Sequence, residues 1–227
     1  MLTTIERAVP TETIAAVRAA IAAERFRPAE DAGGAELLAP TSHGARQAAS
    51  ALLTSLRSHR TFEAATYAGA MTLPIFYRYA AGASSPMHVD PPLLGGFPKL
   101  RADLAVTVCL GGRADYEGGA IIVDDGGAKS SWRGEAGDCV VCPAGAPRRV
   151  GTVTQGHALM ALFWVQSLIA EPYQRHILFD LTQALAELEP TSLAARHIEA
   201  LRRSCTNLTR LWAEVPAPAV RSKVGAS

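Results

Sequence analysis

The chain has 227 residues, of which 48% are hydrophobic and 19% charged, and a formal net charge of +1. That is ordinary globular composition, and near neutrality gives no electrostatic footing for nucleic acid or an anionic membrane as partner. No stretch approaches the roughly 18 uninterrupted apolar residues of a membrane-spanning helix, and the start of the chain lacks the charged-then-apolar layout of a signal peptide, so a soluble cytoplasmic protein is expected.

Taken in order, the chain opens with a predicted helix that Thr11 is placed to cap and that carries Ile14, Val17, Ile21 and Ala22 at helical spacing. Residues 26–44, rich in Gly, Ala, Pro and Asp, read as an irregular loop. A second helix is expected over 47–57, with Ala51, Leu52 and Leu56 inward. From Leu73 to about Ile169 short apolar runs (75–79, 103–110, 119–123, 138–142, 149–153 and 158–165) alternate with Gly, Pro and Asp turns. This spacing suits a mainly β, double-sheet jelly roll.

Helical periodicity returns after Ser167, first through Ile177, Leu178, Leu181, Leu185 and Leu188, then through Leu193, Ile198, Leu201, Leu208, Leu211 and Trp212. The expected organisation is an N-terminal helical region (1–72), a β core (73–169), a helical extension (170–214) and a flexible tail (215–227). Two apolar stripes are more than one sheet face readily hides, which leads to the expectation of a homodimer. Cys139 and Cys142 form a C-x-x-C with no second pair at zinc-ribbon spacing. On a strand, residues three apart face opposite sides, so buried reduced thiols are expected.

The chemistry centres on Met87-His88-Val89-Asp90. Side chains alternate along an extended chain, so His88 and Asp90 share a face and offer an imidazole and a carboxylate to one divalent metal. A second histidine would complete the facial triad of a non-haem Fe(II) oxygenase. Several further motifs occur in one order: Phe76-Tyr77-Arg78-Tyr79, Leu100-Arg101-Ala102-Asp103-Leu104, Asp115-Tyr116-Glu117-Gly118-Gly119, Gly137-Asp138 and Phe163-Trp164-Val165-Gln166-Ser167. With His88-Val89-Asp90 they resemble the PKHD-type hydroxylases, prolyl-4-hydroxylase-like Fe(II)/2-oxoglutarate dioxygenases, over about residues 73–188. Arg175 to Leu181 resembles that family's helical extension.

The resemblance implies a jelly roll with Fe(II) in its mouth, 2-oxoglutarate as cosubstrate and ascorbate as a supporting reductant. The substrate it implies is a small molecule or an amino-acid-type compound. It makes His88 and Asp90 two of three metal ligands, and it also implies a distal histidine and a carboxylate-binding arginine some ten residues later. Here Cys142-Pro143-Ala144-Gly145-Ala146-Pro147-Arg148 puts Arg148 in the histidine slot, and the arginine slot falls on Ala158. Arginine has no lone pair for a metal, and alanine cannot grip a carboxylate.

His157 is the only downstream histidine in the β body, and a bulge would be needed to bring it to the metal as third ligand. Tyr79 and Arg149 are the residues left to bind an acidic cosubstrate, and Arg101 with Asp103 reads as a structural pair. With two ligands retained, weak metal binding is expected. The alternative is a degenerate, non-catalytic jelly roll that binds a small molecule without the iron chemistry.

Overall fold

The computed structural model describes residues 2–30, 33–96, 98–124, 126–127, 129–189 and 195–215. A short strand β1 (Thr3–Ile5) leads to helix α1 (Thr11–Ala22). Pro10 occupies the N-cap position and no side chain caps the helix, so Thr11 is its first residue rather than its cap. Strands β2 (Arg27–Pro28) and β3 (Glu36–Leu38) follow where an irregular loop was expected. They add to the sheet edge because Leu38 is buried in the core and Glu36 grips Arg78 across the strands, 2.8 Å from Nε and 2.6 Å from Nη2.

Helix α2 (His43–Arg57) starts one turn earlier than its apolar pattern suggests, because the Ser42 hydroxyl accepts the Ala45 N–H at 3.1 Å and caps it. Helix α3 (Arg60–Thr66), absent from the expectations, is nucleated by His59, whose Nδ1 accepts the Phe62 N–H. The β body comprises β4 (Ala68–Met71), β5 (Ile75–Ala80), β6 (Leu93–Leu94), β7 (Leu100–Arg101), β8 (Leu104–Cys109), β9 (Tyr116–Gly118), β10 (Ile121–Asp124), β11 (Lys129–Trp132), β12 (Cys139–Pro143), β13 (Arg148–Val150) and β14 (Val153–Ser167). Helices α4 (Pro172–Leu188) and α5 (Ala195–Trp212) close the described chain; Leu193 and residues 216–227 lie outside the described residues. None of the described helices is long and apolar enough to cross a membrane.

Among the described residues the large sheet runs β1-β12-β8-β14-β5-β3-β2, with β4 and β9 also paired to β14. A smaller sheet, β11-β10-β13, faces it. Period-two alternation divides the core in two. Outward-facing Phe76, Val106, Val108, Ala161 and Phe163 pack under α1, α2 and α3, whereas Tyr79, Ala105, Val140, Cys142, Ala158 and Met160 face Ile121, Val123 and Val150 of the small sheet. This is the jelly roll that the strand spacing suggested, and its interior is the space between the two sheets. The C-x-x-C splits as alternation requires, Cys139 toward the helices and Cys142 toward the interior.

All four cysteines are free. Burial pushes the Cys109 thiol up to about 12 and the Cys142 thiol up to about 11, and raises Cys139 as well. Only Cys205 is half-exposed. A thiol reagent at pH 8 is therefore expected to titrate one cysteine in the native protein and four after denaturation. More than one fast-reacting thiol in the folded state would contradict this packing.

Candidate functional site

The segment after β5 crosses the mouth of the jelly roll and is tied to β13 along its length. Ser85 N–H donates to the Val150 carbonyl at 2.9 Å, and the Ser85 hydroxyl accepts the Val150 N–H at 2.8 Å. Three residues on, His88 and Arg148 exchange both backbone hydrogen bonds, N–H of each to carbonyl of the other at 3.0 and 2.9 Å. They are therefore directly opposed antiparallel neighbours. Asp90 N–H then reaches the Ala144 carbonyl at 3.2 Å.

The expected shared face of His88 and Asp90 is present: Nε2 of His88 lies 3.9 Å from Oδ1 of Asp90, and Val89 between them is exposed. The His88 Nδ1 lies 2.9 Å from the Pro86 carbonyl oxygen. A carbonyl can only accept, so Nδ1 is the donor of this bond and Nε2 is turned toward Asp90. This is how a metal-binding histidine is held.

What meets the carboxylate is the guanidinium of Arg148. Its Nε donates to Oδ2 of Asp90 at 2.8 Å and its Nη2 to Oδ1 at 2.7 Å, a bidentate pair whose side chains are only 6% and 2% exposed. Burial works against the Arg148 charge, but the hydrogen bonds and charge of Asp90 outweigh it and hold the group above its ordinary value. Tyr77 and Tyr79 stack beside the pair with ring centroids 6.1 Å apart. Burial raises both phenols, and the nearby Arg148 charge opposes the rise.

Fe(II) does not fit this donor set. Both oxygens of Asp90 are committed to a permanent cation, and the third slot holds that cation rather than a lone pair. Among the described residues no three His, Cys, Asp or Glu side chains converge as a metal-binding group.

His157, expected as a third ligand given a bulge, is not brought to the site. The register His157↔Ala80, Ala158↔Tyr79 and Met160↔Tyr77 runs unbroken, and the nearest irregularity falls between Val153 and Gln155. Alternation then turns His157 to the helix-covered face, where it lines a cavity with Arg18, Asp115 and Phe26. Arg149 is exposed on the far side of β13, opposite Ile122, so it does not reach a cosubstrate in the mouth. Tyr79 is buried in the interior, on the same side as Arg148. Ala158 faces the interior and is fully buried. Arg101 and Asp103 form the expected structural pair, with Nε–Oδ1 at 2.7 Å and Nη2–Oδ2 at 3.1 Å.

The sequence reading missed the mutual dependence of Arg148 and Asp90. A retained carboxylate facing a cation in the ligand slot was the available signal. It also missed the buried indole N–H of Trp164, which has no acceptor among the described residues.

No protein-family model matches the chain. A PKHD-type hydroxylase of Phenylobacterium zucineum is 34% identical over 178 residues, covering 77% of this chain and 78% of that protein. Another, of Acaryochloris marina, is 31% identical over 222 residues, 94% of this chain and 100% of that protein. In solved structures, a Pseudomonas putida prolyl-4-hydroxylase superposes with a TM-score of 0.51 at 18% identity, covering 73% of this chain and 92% of that one, which shows the shared fold. With relatives this similar over most of its length, and the family's motifs in order around a jelly-roll mouth, the chain belongs to the PKHD-type hydroxylases.

Proposed function

We propose that this chain is a metal-independent, small-molecule-binding member of the PKHD-type hydroxylase family. The observation that carries this reading is the buried bidentate contact between Arg148 and Asp90, in the place where the family's resemblance puts iron. For a metal to take Asp90, the guanidinium must first be left unpaired in a buried site. Breaking a buried pair in this way costs about 3–5 kcal/mol, and only two ligands then remain to offset it. The cosubstrate fares no better. Ala158 offers no carboxylate anchor, and Arg149 faces away.

One observation favours a second reading, an Fe(II)/2-oxoglutarate dioxygenase acting on a small molecule or amino-acid-type substrate. The Nδ1 of His88 remains fixed on the Pro86 carbonyl, which keeps Nε2 oriented as a ligand. Anaerobic titration with Fe(II), followed by 2-oxoglutarate, separates the two. The metal-independent reading expects no saturable metal-to-ligand charge-transfer band. A band that saturates at stoichiometric iron would favour the dioxygenase.

A further inference from the structure

On the helix-covered face of the large sheet, away from the mouth, α1, β5 and β14 border a half-open cavity of about 350 Å³. That is the lower end of the roughly 300–1,000 Å³ of small-molecule sites, so a ligand that fits is small. Strand alternation builds one wall: Leu159 stands opposite Arg78, and His157 lies two residues away on the same face. Helix α1 supplies the other, with Arg18 and Ile21 three residues apart on one side of the helix.

The floor is apolar and the rim charged. Ile21 is buried and Phe26 and Leu159 are half-buried, whereas Arg18, Asp115 and His157 are exposed. The two guanidiniums differ. Arg78 is spent on Glu36 and lies over the Phe26 ring, 4.6 Å from its centroid. Arg18 and Asp115 are not spent on each other, since Nη1 and Oδ2 are 3.8 Å apart, too far for a hydrogen bond. Among the described residues the Arg18 guanidinium has no hydrogen-bond acceptor, and Asp115 accepts only the Gly112 N–H, at 3.0 Å on Oδ2.

The charge balance decides the ligand class. Arg18 is offset by Asp115 and Arg78 by Glu36, so the rim carries both signs and no excess of either. A plain carboxylate would face Asp115 there, and a plain amine would face the guanidiniums. A zwitterion escapes both repulsions. Laid alongside the pair, its carboxylate meets Arg18 and its ammonium meets Asp115, so that four charges alternate around a ring. An α-amino acid carries both groups on one carbon, close enough to match opposite charges 3.8 Å apart. With that head at the wet rim, its side chain falls on Ile21, Phe26 and Leu159.

We propose that this cavity binds a small apolar α-amino acid as its zwitterion, the carboxylate on Arg18 and the ammonium on Asp115. The cavity lies on the opposite face of the sheet from the mouth, and its ligand does not depend on whether iron binds there.

The probes are L-phenylalanine, 3-phenylpropionate and 2-phenylethylamine, the last two of which keep the ring and lack one charge each. Titrations of the full chain are followed by NMR through the His157 imidazole resonances, assigned with His157→Gln. L-phenylalanine is expected to shift them with a Kd of about 1 mM, and to bind about tenfold more tightly than either analogue. Arg18→Gln is expected to erase its advantage over 2-phenylethylamine, and Asp115→Asn its advantage over 3-phenylpropionate. Ala22→Trp, at an exposed position of the cavity wall, fills the space with every charge in place and is expected to abolish binding.

His157 resonances unmoved by L-phenylalanine overturn the proposal, and so does either analogue binding as tightly as the amino acid. Binding unchanged by Ala22→Trp would place the ligand elsewhere and overturn it too. Should Asp115→Asn unsettle the turn at Gly112, the comparison of the three ligands on the parent and on Arg18→Gln still decides.

Discussion

Asp90→Ala is expected to destabilise the protein by about 3–5 kcal/mol, the range for removing one member of a buried ion pair. The cause is the guanidinium left behind. Arg148 is 5% exposed, its two best-placed N–H bonds lose their acceptors, and its neighbours Tyr77, Tyr79 and Cys142 supply no negative charge at neutral pH. For a chain of this length such a loss lowers the midpoint of thermal unfolding by about 10 °C. Removing both charges tells a different story. Asp90→Leu combined with Arg148→Met leaves no unpaired ion, and the double variant is expected to recover most of the stability. Thermal and denaturant unfolding of the two variants check this directly. An Asp90→Ala protein as stable as the parent would mean that the pair is not buried in solution as it is in the structure.

The second large effect is a gain. Because His88 and Arg148 are directly opposed and both turn into the mouth, a histidine at position 148 would stand beside His88 and Asp90. Arg148→His is therefore expected to bind a divalent metal where the parent does not, and to be stabilised by it, by about 2.7 kcal/mol at metal concentrations a hundredfold above Kd. Turnover requires more. Ala158→Arg restores a carboxylate anchor worth about 1.5–3 kcal/mol, or roughly one to two powers of ten in affinity for 2-oxoglutarate. Alone, however, it adds a large charged side chain at a fully buried position facing Tyr79 and is expected to destabilise.

Iron-dependent conversion of 2-oxoglutarate to succinate is thus expected only from the double variant. The measurement compares parent, both single variants and the double. Robust turnover by the parent would overturn the metal-independent reading, and silence in all four would show that more than these two positions separates this mouth from a working iron centre.

Much was legible from residue order. The alternation of apolar runs and turns between Leu73 and Ile169 carried the jelly roll, because sheet burial imposes period two whatever the partners are. The same rule placed His88 with Asp90 and split Cys139 from Cys142. The short elements were not legible. β2 and β3 are too brief to carry a period, and their pairing depends on Arg78, about 40 residues away along the chain. α3 has seven residues, and its start is set by a histidine cap outside the usual capping types.

At the site the division follows the same line. The sequence by itself showed that Arg148 stands in a ligand slot and that Ala158 cannot hold a carboxylate, since both follow from side-chain chemistry. Only the tertiary structure decided what Arg148 does there. Asp90 and Arg148 are 58 residues apart, and they meet because the segment after β5 pairs with β13. The face of His157 was likewise conditional on register. The bulge that would have turned it inward lies several residues upstream, so the strand keeps its alternation and the histidine stays outside. Local chemistry says what a residue can do, but whether a cation faces a metal or takes its place depends on which strands pair.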